Sequence, residues 1–258
     1  MKFWLALWAL SIVAYVLLTG WAYFFSDRLL FHPTHGPFHE PKGSIRIPRE
    51  GDEELVALYL PNATAKYTIW FFHGNAENLG DIEPWLHELH DQGYAVFAVE
   101  YPGYGISPGQ VSEAGIYMAN MAALDYLKNQ LGVSGDSIIA YGRSLGGGPA
   151  VELATRAPLA GLVLQSTFTS AYRVMTRWRL VPFDKFENIL KLPRVKCPLL
   201  VMHGGDDRVV PFHHGESLYQ TATGPKQNFW IKLAGHNDFL EWAGPEHWVV
   251  LRKFADSL

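Results

Sequence analysis

The chain has 258 residues, 48% hydrophobic and 18% charged, enough apolar side chain for one sizeable core and a composition that excludes long disordered tracts. A net charge of −4 at pH 7 argues against general affinity for nucleic acid. The single cysteine, Cys197, excludes an intrachain disulfide framework and any cysteine-rich zinc or iron–sulfur centre; beside Pro198 it reads as a small core residue.

Phe3 to Phe25 is an uncharged run of 23 residues. Wound as a helix it measures about 34 Å, enough to cross a hydrocarbon core of about 30 Å. Phe3, Trp4 and Trp8 stand towards one end and Trp21, Tyr23, Phe24 and Phe25 at the other, where amphipathic rings favour the two headgroup boundaries. The expectation is a single-pass membrane anchor, residues 1–27, ahead of one globular domain, residues 28–258. A cleaved signal peptide competes with it, using Gly20-Trp21-Ala22 as the cleavage site, although the run exceeds an ordinary signal core. A buried core helix fits poorly at the extreme N-terminus. Lys2 on one side and Arg28, Lys42 and Arg46 on the other do not discriminate an orientation. His32, His35, His39 and Glu40 follow at a spacing that a metal could use, but Pro33, Gly36 and Pro37 break any regular helix, and no metal is expected.

Strands are predicted at Ser44–Pro48, Leu55–Leu60, Thr68–Phe72, Ala95–Glu100, Ser137–Tyr141, Gly161–Gln165, Leu199–His203 and Asn228–Leu233. Several are near-continuous apolar runs, as strands covered on both faces of a parallel sheet require. Between them, Ile82, Trp85, Leu86 and Leu89 mark a helix that Gly93 ends. Ser112 and Glu113 open another, carrying Ile116, Ala119, Ala123, Leu124 and Leu127. A third follows Ser144, with Pro149 near its start, where amides lack intrahelical partners. Alternating strands and helices predict an α/β fold with right-handed crossovers.

The stretch from Ile138 to Gly148 joins an apolar strand to a helix start and contains Gly142-x-Ser144-x-Gly146. A serine placed in a strained strand-to-helix turn needs neighbours without side chains, so this reads as a nucleophile elbow. The lysine and spacing of a phosphate loop are missing. A serine hydroxyl is a weak nucleophile at neutral pH and needs a base within hydrogen-bond reach and an acid to orient that base. Leu199 to Pro211 supplies an apolar strand ending in two aspartates. Asp207 is preferred over Asp206 because it falls in the register Gly204-x-x-Asp207-x-x-Val210-Pro211. After the last strand, Gly235-His236-Asn237-Asp238 offers the imidazole, in the right order behind Ser144 and Asp207. Of the other histidines, His203 reads as a structural hydrogen-bonder, and His213, His214 and His247 as helix surface. An oxyanion hole needs two amide donors. Leu145, directly after the nucleophile, supplies one, and the loop His73 to Asn78 the other, at Asn75 with Ala76 as fallback.

The elbow, His73-Gly74-Asn75, Glu100-Tyr101-Pro102-Gly103-Tyr104-Gly105, the Asp207 turn and Gly235-His236-Asn237-Asp238 together resemble an α/β-hydrolase. Within that superfamily the likeness is to a membrane-anchored group that includes the BEM46-like proteins and the α/β-hydrolase domain-containing types 13 and 17. It runs from about Leu29 to the C-terminus. The resemblance implies a mostly parallel sheet flanked by helices and serine-dependent hydrolysis of an ester, thioester or amide, without a cofactor. Glu100 stands where many relatives carry Asp, which reads as a structural change.

Ser166 to Cys197 has no clear counterpart. It holds Arg173, Arg177, Arg179, Lys185, Lys191, Arg194 and Lys196 against Asp184 and Glu187, a local surplus of five positive charges, with Trp178, Phe183 and Phe186 interleaved. The plain reading is a solvated face over a small hydrophobic cap. The sharper one rests it on an anionic bilayer surface, where each basic residue contributes about 1 kcal/mol.

The expected protein is therefore a membrane-anchored serine hydrolase acting on a small-molecule or acyl, lipid-like ester, with Ser144, His236 and Asp207 catalytic and the Asn75 and Leu145 amides holding the oxyanion. A serine peptidase would use the same machinery but needs a residue to bind the substrate amine. A haloalkane dehalogenase needs an aspartate where Ser144 stands. A non-catalytic scaffold of the same fold remains the least favoured alternative, because all three side chains are present.

Overall fold

The computed structural model describes residues 1–34, 36–49, 54–176 and 178–258. His35 of the histidine group and Arg177 of the basic stretch lie outside the described residues. The chain opens with helix α1 (Lys2–Leu30) and continues through strands β1 (Ser44–Pro48), β2 (Glu54–Leu60) and β3 (Thr68–Phe72). Helix α2 (Leu79–Asp91) then leads to β4 (Ala95–Val99), α3 (Glu113–Asn129) to β5 (Ile138–Arg143), and α4 (Gly147–Arg156) to β6 (Gly161–Gln165). Two short helices, α5 (Ala171–Met175) and α6 (Asn188–Lys191), precede β7 (Leu199–Gly204). The chain ends with α7 (His213–Thr221), β8 (Lys226–Ile231), α8 (Phe239–Ala243) and α9 (Pro245–Asp256).

The eight strands form one sheet in the order β1-β2-β4-β3-β5-β6-β7-β8. β2 runs antiparallel to both its neighbours, and every pair from β4 to β8 is parallel. Both faces of the central strands are covered, which accounts for their unbroken apolar sequence. Alternate residues point to opposite sides. Trp70, Phe72, Phe97, Ala140, Leu162 and Val201 pack with Ala119, Ala123, Leu124 and Leu127 of α3. Ile69, Phe71, Val96, Ile139, Tyr141 and Leu200 pack with Leu79, Ile82, Leu86 and Leu89 of α2 and Leu251 and Phe254 of α9. The cap read from sequence forms as expected, with Ser112 accepting a hydrogen bond from the Gly115 amide, and Asn78 caps α2 in the same way by accepting one from the Asp81 amide.

Helix α1 is long and apolar enough to cross a membrane, a property that a signal sequence shares. It extends to Leu30, three residues past the boundary at 27, and Ser26 near its end is buried against the domain. Tyr23 meets Phe183 with ring centroids 5.4 Å apart, and Asp27 pairs with Lys185 at 2.8 Å. The basic stretch is therefore partly neutralised within the fold: Arg179 pairs with Glu187 and Lys191 with Glu152. Its Phe186 is fully buried, whereas Met175, Trp178 and Leu180 stand exposed. In the histidine group, His39 pairs with Glu83 and Glu40 with Arg46.

Two histidines expected on helix surfaces are buried instead. His214 and His247 are each 1% exposed, while His213 is exposed as expected. His247 lies among Trp85, Trp248 and Tyr141, and both its ring nitrogens lack hydrogen-bond partners among the described residues. Burial disfavours the imidazolium and pushes the pKa of His247 down to about 4. Its neutral ring is thus fully compatible with the fold above the unfolded pKa of about 6.5, and stability falls as pH drops from there towards 4. That loss amounts to about 3 kcal/mol for this one group. His247→Phe should flatten the decline of the denaturation midpoint between pH 6.5 and 4. An unchanged slope would place the acid sensitivity elsewhere.

Candidate active site

All the relevant residues lie at the carboxyl ends of parallel strands. β5 runs straight into Ser144, whose φ of +51° is the left-handed conformation of a strained strand-to-helix turn. Such a conformation costs a non-glycine residue about 1–3 kcal/mol and persists where the surroundings over-determine it. The two flanking glycines permit the close packing. A Cβ on Gly142 would come within 2.5 Å of the Gly146 carbonyl oxygen, and one on Gly146 would overlap the Phe72 carbonyl oxygen at the end of β3. Thr167, just past β6, donates its hydroxyl to the Ser144 carbonyl at 2.6 Å and braces the turn from the other side.

Asp207 follows β7, two strands away from β5, a lateral gap of about 10 Å at ordinary strand spacing. His236, in the loop after β8, reaches back and spans it. Its Nε2 lies 3.0 Å from the Ser144 Oγ and its Nδ1 2.7 Å from Oδ2 of Asp207. The other carboxylate oxygen, Oδ1, accepts the Val209 amide at 2.9 Å and the Val210 amide at 2.7 Å. Burial alone would raise the Asp207 carboxyl, but hydrogen bonds from His203, His236 and the Val210 amide, with the imidazole charge, hold it well below the usual carboxylate range. As an ionised acceptor it requires the hydrogen of His236 on Nδ1, which leaves Nε2 free to accept from the serine hydroxyl. Asp206 is turned outward and pairs with Arg208.

His203 has the structural role read from sequence: it is fully buried, its Nε2 lies 2.8 Å from the Val210 carbonyl, and the same atom is 3.4 Å from Asp207 Oδ2. The partners of two acidic residues, Glu77 and Glu100, are not legible in the sequence. Glu77 accepts the Gly74 amide at 2.6 Å through Oε2 and pairs with Arg143, the residue before Ser144, at 2.8 Å through Oε1. It ties the loop after β3 to the elbow. Glu100 sits buried beside His73, 3.2 Å from its Nε2, and accepts the Leu79 amide at 2.9 Å, so it anchors the start of α2.

The loop carrying Asn75 lies directly against the nucleophile turn. A Cβ on Gly74 would stand 3.6 Å from that of Ser144. The side chain of Asn75 is engaged with Leu30, His32 and Tyr104. Ala76, the fallback donor, has φ +56°. Leu145 is buried at the elbow. A hydroxyl hydrogen-bonded to an imidazole that is itself held by a carboxylate can transfer its proton as it attacks an electrophilic carbon.

Residues 63–191 match the family described as serine aminopeptidase, S33. The chain is 43% identical over 202 residues to the α/β hydrolase domain-containing protein aho-3 of Caenorhabditis elegans, covering 75% of this chain and 60% of that one. It is 37% identical over 181 residues to human α/β hydrolase domain-containing protein 17B, covering 69% of this chain and 62% of that one. The chain belongs to the α/β-hydrolase family. Its relatives place it with the domain-containing 17 type, of whose length it matches about three fifths. An esterase from Pyrococcus furiosus shares the fold, with a TM-score of 0.72 at 18% identity over 88% of this chain and 98% of that one. So does a monoacylglycerol lipase from Paleococcus ferrophilus, with a TM-score of 0.62 at 19% identity over 79% and 99%.

Proposed function

We propose that this protein is a serine hydrolase that cleaves carboxylic esters or acyl thioesters through an acyl-enzyme on Ser144. The observation that carries the reading is the continuous hydrogen-bonded line from Ser144 through His236 to Asp207. In the proposed reaction His236 takes the serine proton as Oγ attacks the acyl carbon, then gives it to the departing alcohol or thiol. Water is next deprotonated by the same nitrogen and releases the acid. Asp207 holds the imidazole tautomer and stabilises the imidazolium. The amides of Asn75 and Leu145 hold the tetrahedral oxyanion, and none of these steps requires a cofactor. Residues 1–27 serve as the anchor and 28–258 as the hydrolase domain, so that the substrate class is small acyl or lipid-like esters met at a membrane.

An aminopeptidase or amidase is the second reading, favoured by the description of the matching family. A carboxylate would be needed for the substrate ammonium. Glu77, which lies beside the elbow, is already held by Arg143 and the Gly74 amide, which favours the ester reading. The full chain in detergent micelles should turn over p-nitrophenyl esters and acyl thioesters of graded chain length and leave aminoacyl p-nitroanilides nearly untouched. Faster anilide cleavage would replace the ester reading with the peptidase one.

A further inference from the structure

The segment that leaves α1, Phe31 to Thr34, forms neither helix nor strand, yet it is held against the site by side chains that the reaction does not use. The Asn75 carboxamide is gripped on both sides. Its Nδ2 donates to the Leu30 carbonyl at 2.6 Å, and its Oδ1 accepts the His32 amide at 2.9 Å and the Tyr104 hydroxyl at 2.6 Å. Both acceptor sites and one of two donor hydrogens are thereby engaged. Three residues on, Asn78 donates to the Thr34 hydroxyl at 3.0 Å. Phe31 is 3% exposed and packs with Tyr101, Tyr104, Leu145 and Phe186.

We propose that this strap is a working part of the active site, clamping the Asn75 side chain so that the backbone amide of the same residue stays aimed at the oxyanion. The inference rests on the hydrolytic reading above. Asn75 is then a positioning residue through its side chain as well as a donor through its backbone. Its loop is short and includes a strained residue, Ala76, so it needs outside support to hold one conformation. A donor displaced by about 1 Å from the developing charge forfeits much of its effect. The strap continues directly from α1, with the Phe31 amide bonded to the Asp27 carbonyl at 3.0 Å. The set of the apolar helix is thus joined mechanically to the oxyanion hole.

Two variants test this in the full chain in micelles. Asn75→Ala removes the clamp from the loop side. His32→Pro removes one amide hydrogen from the strap side, and Phe31 already has the extended backbone (φ −89°, ψ 131°) that a residue before proline prefers. His32→Ala keeps that amide and isolates the imidazole. Both clamp variants should lower kcat on p-nitrophenyl butyrate about 10- to 100-fold with KM little changed. They should also weaken binding of a trifluoromethyl ketone, which forms an oxyanion on the serine, by the same factor. His32→Ala should lose at least tenfold less than His32→Pro. Equal rates for His32→Pro and His32→Ala, or a fall in kcat with unchanged ketone affinity, would overturn the proposal, and His32→Pro stands as the test if Asn75→Ala fails to fold. Wild-type turnover that survives Ser144→Ala would instead remove the hydrolytic reading beneath it.

Discussion

Asp207→Asn should lower kcat on a short-chain p-nitrophenyl ester by about ten-thousandfold while the protein stays folded. The size follows from which oxygen of Asp207 faces what. Oδ1 accepts two backbone amides, from Val209 and Val210, and Oδ2 faces Nδ1 of His236. An asparagine must keep its carbonyl towards the two amides, because an NH2 group there would confront two donors. The NH2 group therefore lands on His236 and donates to Nδ1. The imidazole hydrogen shifts to Nε2, the atom 3.0 Å from the Ser144 hydroxyl, which then has no base to accept its proton. A kcat within tenfold of wild type would show that the carboxylate does not set the tautomer.

Ser144→Ala should have the larger effect, a loss of about a millionfold in kcat together with loss of fluorophosphonate labelling. The alanine removes the only atom that the proposed mechanism acylates, and water attack assisted by the remaining groups is all that is left. Backbone strain at φ +51° persists in the variant, since alanine also carries a Cβ, so stability should change little. Labelling of the variant at the wild-type rate would take Ser144 out of its role.

Much of this arrangement was legible before any coordinates, for identifiable reasons. Most of the eight strands announce themselves as short runs rich in apolar residues, and those predicted at Ser44–Pro48, Thr68–Phe72 and Gly161–Gln165 match residue for residue. Ser144, Asp207 and His236 each follow the end of such a run, and a parallel sheet brings those ends to one edge. The contacts between loops left no comparable trace. Glu77 and Arg143 are oppositely charged neighbours of two motifs, but nothing periodic links positions that far apart. The strap is irregular, and the burial of Phe31 depends on where Tyr104 and Phe186 happen to converge. The two buried histidines are a different case. His247 is followed by Leu251 and Phe254, and His214 by Leu218, at helical spacing on buried faces. That spacing marks the inward side, and the polarity of histidine outweighed it in the surface expectation.

The central claim is that the Ser144 oxygen carries the acyl group between two half-reactions. Mixing the full chain with p-nitrophenyl acetate, quenching in acid before steady state and weighing the intact protein tests this directly. The account predicts one added acetyl group, located on the peptide containing Ser144 and absent from Ser144→Ala. Rapid release of p-nitrophenol with no added mass, or with the acetyl group on another residue, would contradict it.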